Sequence, residues 1–263
     1  MPVTVKVKSE ERATKVQREA AAQRVVSNFD VCLPHSRVLC FLDDEDPRSL
    51  KNAFGEANRG LSGTIKDGDL LLPWPFYVPK CLFLNADVHP FTGRIIDQLV
   101  YLYDATCADE VGLTMTLAHE LQHAVQHDKM RKVWAVNSLI RGLPTAVDDL
   151  KLEWADIPIE RDARIVAKRI ALDLHGEQQV RRYIEKRIAE AVEPHDIADW
   201  RFVSGLTPSG SVDLVGETRR LFQRLSDYRP EVELALLQAK SGSDFSVIDL
   251  DEFFTAPMNT DHD

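Results

Sequence analysis

An α+β fold is predicted from three observations. Strand-like apolar runs fall within about the first 108 residues, helical periodicity fills the rest, and the two patterns segregate instead of alternating. At 263 residues the chain is long enough for one large domain or two small ones. Its 44% hydrophobic and 28% charged content excludes a disordered or fibrous protein.

The first element expected is a polar, alanine-rich helix over residues 9–27. Around it Lys6, Lys8, Arg12, Lys15, Arg18 and Arg24 outnumber Glu10, Glu11 and Glu19, so residues 1–30 read as a basic helical arm. Val38–Leu42 is a short buried-strand candidate that ends at Asp43, Asp44, Glu45 and Asp46. Gly55, Gly60, Gly63 and Gly68 mark loops, and three prolines make Leu70–Pro79 an extended apolar segment, not a central strand. Cys81–Val88 is the best strand candidate, and Ile95–Tyr103 is a second whose spacing also admits a helix.

Helices follow. Residues 110–141 form one long or two joined helical patterns ending before Gly142 and Pro144, with a short helix at 146–154. Further helices are expected at 159–175, 177–193, 213–227 and 230–240, divided by Gly176, Pro194, the stretch Gly205–Ser211, and Pro230. The main domain thus runs over residues 31–240. Residues 241–263 carry six acidic side chains and no Lys or Arg, and read as a flexible acidic tail. Arm and tail are the two places where a protein partner could dock.

A net charge of −10 argues against nucleic-acid binding, since neutralising phosphates needs a basic surface. No apolar run approaches the roughly 20 residues that span a bilayer, and Met1–Ala22 holds no apolar secretion-signal core. Cys32, Cys40, Cys81 and Cys107 form no CxxC pair and are expected as reduced thiols, so the chain reads as a cytoplasmic, non-membrane protein.

The chemistry sits in Thr116-Leu-Ala-His119-Glu120-Leu-Gln-His123. Positions i and i+4 lie one helical turn apart on the same side, so both imidazoles can reach one ion. Neutral imidazole is a favoured zinc ligand. Glu120, directly after the first histidine, can take a proton from a water at the remaining coordination position and later hand it to a leaving amine. This pattern arises by chance in about one such sequence in 60, so a third ligand decides. His127 lies about 12 Å beyond His119 along the helix, too far to share its ion. The longer zincin pattern HExxHxxGxxH is excluded, because Gln126 and Lys129 stand at its glycine and third histidine.

Glu160 is the better candidate. Ala163, Val166, Ala167, Ile170, Ala171 and Leu174 form the core-facing stripe of a helix, and Glu160 prolongs that stripe three residues upstream. A carboxylate on a buried face is costly unless paired or metal-bound. The plain alternative is a first-turn acid favoured by the helix dipole. Asp162 is a fallback ligand, or a partner for a histidine N–H.

These residues, with Glu160-x-x-Ala163-x-x-x-Ala167 on the later helix, resemble the gluzincin-type zinc metallopeptidases, in particular the ImmA/IrrE-like group. The likeness covers roughly residues 110–170, with Gln122 where that group usually has glycine. It implies a zincin-like fold: a small twisted sheet, an active-site helix, and a helical C-terminal part supplying the third ligand. It also implies one Zn2+ per chain on His119, His123 and Glu160, Glu120 as general base, and a protein or peptide substrate. Cys81–Val88 would then be the edge strand to which an extended substrate adds. A catalytically inactive binding or regulatory protein on the same scaffold is the alternative. Tyr101, Tyr103, Arg164, His175 and Tyr183 remain open as oxyanion stabilisers, and peptide deformylase is disfavoured because neither Cys81 nor Cys107 sits in its ligand motif.

Overall fold

The first strand arises from a simple alternation. In β1 (Val3–Lys8) the valines recur every second residue, so one face is apolar, and Val3 and Val7 are buried. The computed structural model describes residues 3–9, 11–33, 38–43, 65–66, 69–70, 76–79, 98–103, 109–142, 152–239 and 248–254. Strand candidate Cys81–Val88 lies outside them, as does most of the helix expected at 146–154.

β1 pairs in parallel with β2 (Val38–Asp43), in register from Val3↔Val38 to Lys8↔Asp43. β2 pairs in parallel with β6 (Gln98–Tyr103). On the far side of β6, β5 (Phe76–Pro79) runs antiparallel, giving the order β1-β2-β6-β5. Among the described strands β5 is outermost, a place where Pro79, which lacks an N–H, is tolerated. β3 (Ile65–Lys66) and β4 (Asp69–Leu70) form a separate short hairpin. A parallel β1–β2 pair requires a crossover, and α1 (Arg12–Val26) lies between the two strands in sequence.

The helical part comprises α2 (Glu110–Lys129), α3 (Arg131–Gly142), α4 (Pro158–His175), α5 (Glu177–Glu190), α6 (Pro194–Gly205), α7 (Leu214–Arg224), α8 (Arg229–Ala239) and the single turn α9 (Asp251–Phe254). A small sheet ahead of a helical C-terminal part therefore matches the α+β expectation, with β1–α1–β2 the one strand–helix–strand alternation among the described residues.

The chain divides into two compact units, Met1–Lys129 with Ala163–Gly210, and Met130–Asp162 with Ser211–Asp263. In the first, α2 packs on α1, β5, β6 and α5. Its core joins Val3, Val7, Ala22, Val25, Leu33, Val100 and Leu102 to Leu113, Leu117 and Leu121 of α2 and Val166, Ala167 and Ile170 of α4. Residues 1–30, expected as a basic helical arm, contain both a strand and a helix that contribute to this core. β1 is a sheet strand and α1 buries Ala21, Ala22, Val25 and Val26, because the valine alternation and the alanine face outweigh the surrounding charge.

In the second unit Val133, Val136, Leu139 and Ile140 of α3 are buried, and α3 packs on α7 and α8. Asn137 donates to Val133 O at 2.8 Å and to Thr218 Oγ1 at 2.7 Å, so its buried amide nitrogen is satisfied. The acidic tail is also corrected in part. Ile248, Leu250 and Phe253 are buried, and Phe222 of α7 meets the rings of Phe253 and Phe254 at 5.4 and 5.0 Å. Arg229 holds Asp251 and stacks over Phe254, so the apolar residues of this segment anchor it. Among the described residues no helix is long and apolar enough to cross a membrane.

Candidate metal centre

Two helices supply the centre, and each begins with a defined signal. At α2, Asp109 Oδ1 accepts from Val111 N at 2.9 Å and Gly112 N at 3.0 Å, capping two of the open N–H groups. Gly112 also permits close packing, since a Cβ there would lie 2.8 Å from the Tyr183 hydroxyl of α5. α4 opens with Pro158, whose missing N–H costs nothing in a first turn, and Arg161 N bonds Ile157 O at 3.0 Å. At its other end Gly176, with φ +77°, releases the chain in a conformation that side chains disfavour.

His119 and His123 face each other across one turn of α2. Their Nε2 atoms are 3.0 Å apart, and the rings meet edge to face with centroids 4.6 Å apart. Glu160 lies in the first turn of α4 at 3% exposure, beside the buried Ile157, Ile159 and Ala163. One ligand atom from each of His119, His123 and Glu160 falls within 4.8 Å of the others. Tetrahedral zinc at 2.0–2.2 Å from its ligands needs them about 3.4 Å apart, a separation of the same order as this one. Two imidazole nitrogens and one carboxylate are a donor set suited to a divalent transition ion, and a cation there would offset the charge of a buried carboxylate.

The sequence singled out these three residues, and they are the ones brought together. Among the described residues no other group of three or more His, Cys, Asp or Glu is placed to hold an ion, so neither His127 nor Asp162 joins the set. Glu120, next to His119, is buried at 7% exposure.

Gln126 is a further participant that the motif does not announce. Its Oε1 lies 2.8 Å from His123 Nδ1, with both side chains buried, so it makes the histidine contact offered to Asp162. The i, i+3 spacing was a visible signal, but Gln126 registered only as a departure from the longer zincin pattern.

Several other side chains are engaged elsewhere. Arg164 pairs with Asp199 at 2.7 Å, and Tyr183 meets Trp200 edge to face with centroids 5.7 Å apart. His175 Nε2 and Thr114 Oγ1 are 2.8 Å apart. Burial pushes the His175 pKa below its usual value, with Glu110 and Asp109 opposing and Arg24 assisting. Lys168 donates from Nζ to the carbonyls of Val203, Ser204 and Leu206 at 3.0, 2.7 and 2.8 Å, closing the C-terminus of α6. That helix escaped the sequence reading, which took Pro194 as a break where it is the first helical residue. Side chains of Tyr101 and Tyr103 lie outside what is described. Cys32 is a half-buried free thiol.

Compared with known protein families, curated proteins and solved structures, the chain finds no match.

Proposed function

We propose that the chain is a zinc-dependent peptidase acting on a protein or peptide substrate. The carrying observation is the convergence of His119, His123 and Glu160 from two helices, with Glu120 beside the first histidine. Those three side chains would hold one zinc ion per chain, and a bound zinc supplies Lewis-acid polarisation of water and of a carbonyl. Glu120 accepts a proton at its carboxylate from the attacking water and delivers it to the nitrogen of the leaving amine. An extended substrate would add to a strand edge of the sheet beside α2, where β5 is the outermost strand among the described residues. A zincin-like arrangement is consistent with the short mixed sheet beside α2.

The test uses the zinc-loaded full chain, an unfolded protein substrate and a mixed peptide library read by mass spectrometry. Glu120→Gln is expected to lower cleavage about 100-fold or more while zinc content stays at the wild-type level. Zinc-loaded wild type that retains peptides but cleaves none would instead support the inactive binding protein.

A further inference from the structure

We propose that Gln126 is a positioning residue of the metal centre: its amide oxygen fixes the His123 ring in the Nδ1–H form and presents a bare Nε2 to the cation. This rests on the reading of His119, His123 and Glu160 as ligands, and adds a residue outside that set.

The argument begins with what each atom can do. Gln126 Oε1 carries lone pairs and no proton, so the 2.8 Å contact is a hydrogen bond only if His123 Nδ1 donates. A neutral imidazole has one N–H, so Nε2 then keeps its lone pair. That Nε2 is the atom facing His119 Nε2 at 3.0 Å, where the ligand atoms gather. The wrong tautomer would put a proton in the position of the ion.

Position and burial make the bond effective. Residues 123 and 126 are three apart on α2, so their side chains share a face without help from another element. They are 3% and 2% exposed, which leaves little room for water to replace the contact. Ordering a buried glutamine costs side-chain entropy, and a bond that orients a ligand offsets it. An amide in this place also adds no charge, leaving Glu160 as the anionic member of the set.

Two measurements on the full chain test this. In metal-free wild type, long-range proton–nitrogen NMR should show His123 Nδ1 protonated and Nε2 bare; a ring held mainly as Nε2–H would overturn the proposal without any variant. For affinity, zinc is titrated against a chromophoric chelator. Gln126→Leu should bind zinc about 10–100-fold more weakly, and Gln126→Glu, which keeps an acceptor, should restore wild-type affinity or exceed it. Wild-type affinity in Gln126→Leu, or equal loss in both variants, would defeat it. Failure of wild type to bind zinc at all would defeat the underlying metal reading instead, a different and separable result.

Discussion

The two helices that furnish the ligands do so by different means. On α2 the histidine pair is specified locally: one turn of helix sets the spacing, and residues within the same helix complete it. On α4 the carboxylate is specified by tertiary placement. Glu160 opens a helix whose Val166, Ala167 and Ile170 lie in the core, and Ile157, Ile159 and Ala163 around it are buried. The α2 half of the centre should therefore tolerate disturbance elsewhere, whereas the α4 half should move with its packing.

Removing ligands gives the largest effect. His119→Ala, His123→Ala and Glu160→Ala should each weaken zinc binding by about two to three orders of magnitude, a share of the roughly 10–16 kcal/mol a structural zinc site can supply. Titration against a chelator reads this directly. Should Glu160→Ala bind as tightly as wild type, α4 contributes no ligand and the contrast between the helices disappears.

A smaller effect separates seating from ligation. Ala163 is fully buried one turn after Glu160, and a leucine there must displace its surroundings. Ala163→Leu should cost about 1–3 kcal/mol in denaturant unfolding. It should also loosen zinc binding several-fold, although no ligand is altered. Unchanged affinity alongside lost stability would mean that Glu160 is held by its own turn and not by the seat of the helix.

The same contrast explains what the sequence disclosed. The histidine pair was legible because its geometry is contained in five consecutive residues. Glu160 was legible because it falls in phase with the stripe Ala163, Val166, Ala167 and Ile170. Strands β2 and β6 were legible as apolar runs. β1 is harder to read, although Val3, Val5 and Val7 alternate plainly, because the lysines between them signal charge as strongly as the valines signal a buried strand face. In segment 248–254 the acids mask the anchor: the charge reads as a flexible tail with phenylalanines in it, whereas Ile248, Leu250 and Phe253 are buried. Pairings between distant residues left no pattern, such as Thr114 with His175 or Lys168 with the end of α6.

The bond from Thr114 to His175 joins α2 to the far end of α4, and it offers the mildest test of that seat. His175 has its pKa lowered in the folded chain, first by burial, against about 6.5 when unfolded. The unfolded chain therefore binds the proton more readily. Above about pH 7 the ring is neutral in both states and contributes no slope; as the pH falls through about 6.5 toward the lower folded pKa, stability is lost. His175→Gln keeps a group able to bond Thr114 but cannot be charged. Melting of metal-free protein between pH 7.5 and 5.5 should thus show wild type falling more steeply than the variant, with the two curves parallel above pH 7. Because His119 and His123 are present in both proteins, their titration largely cancels in the difference. Parallel curves over the whole range would mean that His175 opens to solvent before it is charged, and that this end of α4 is not held through Thr114.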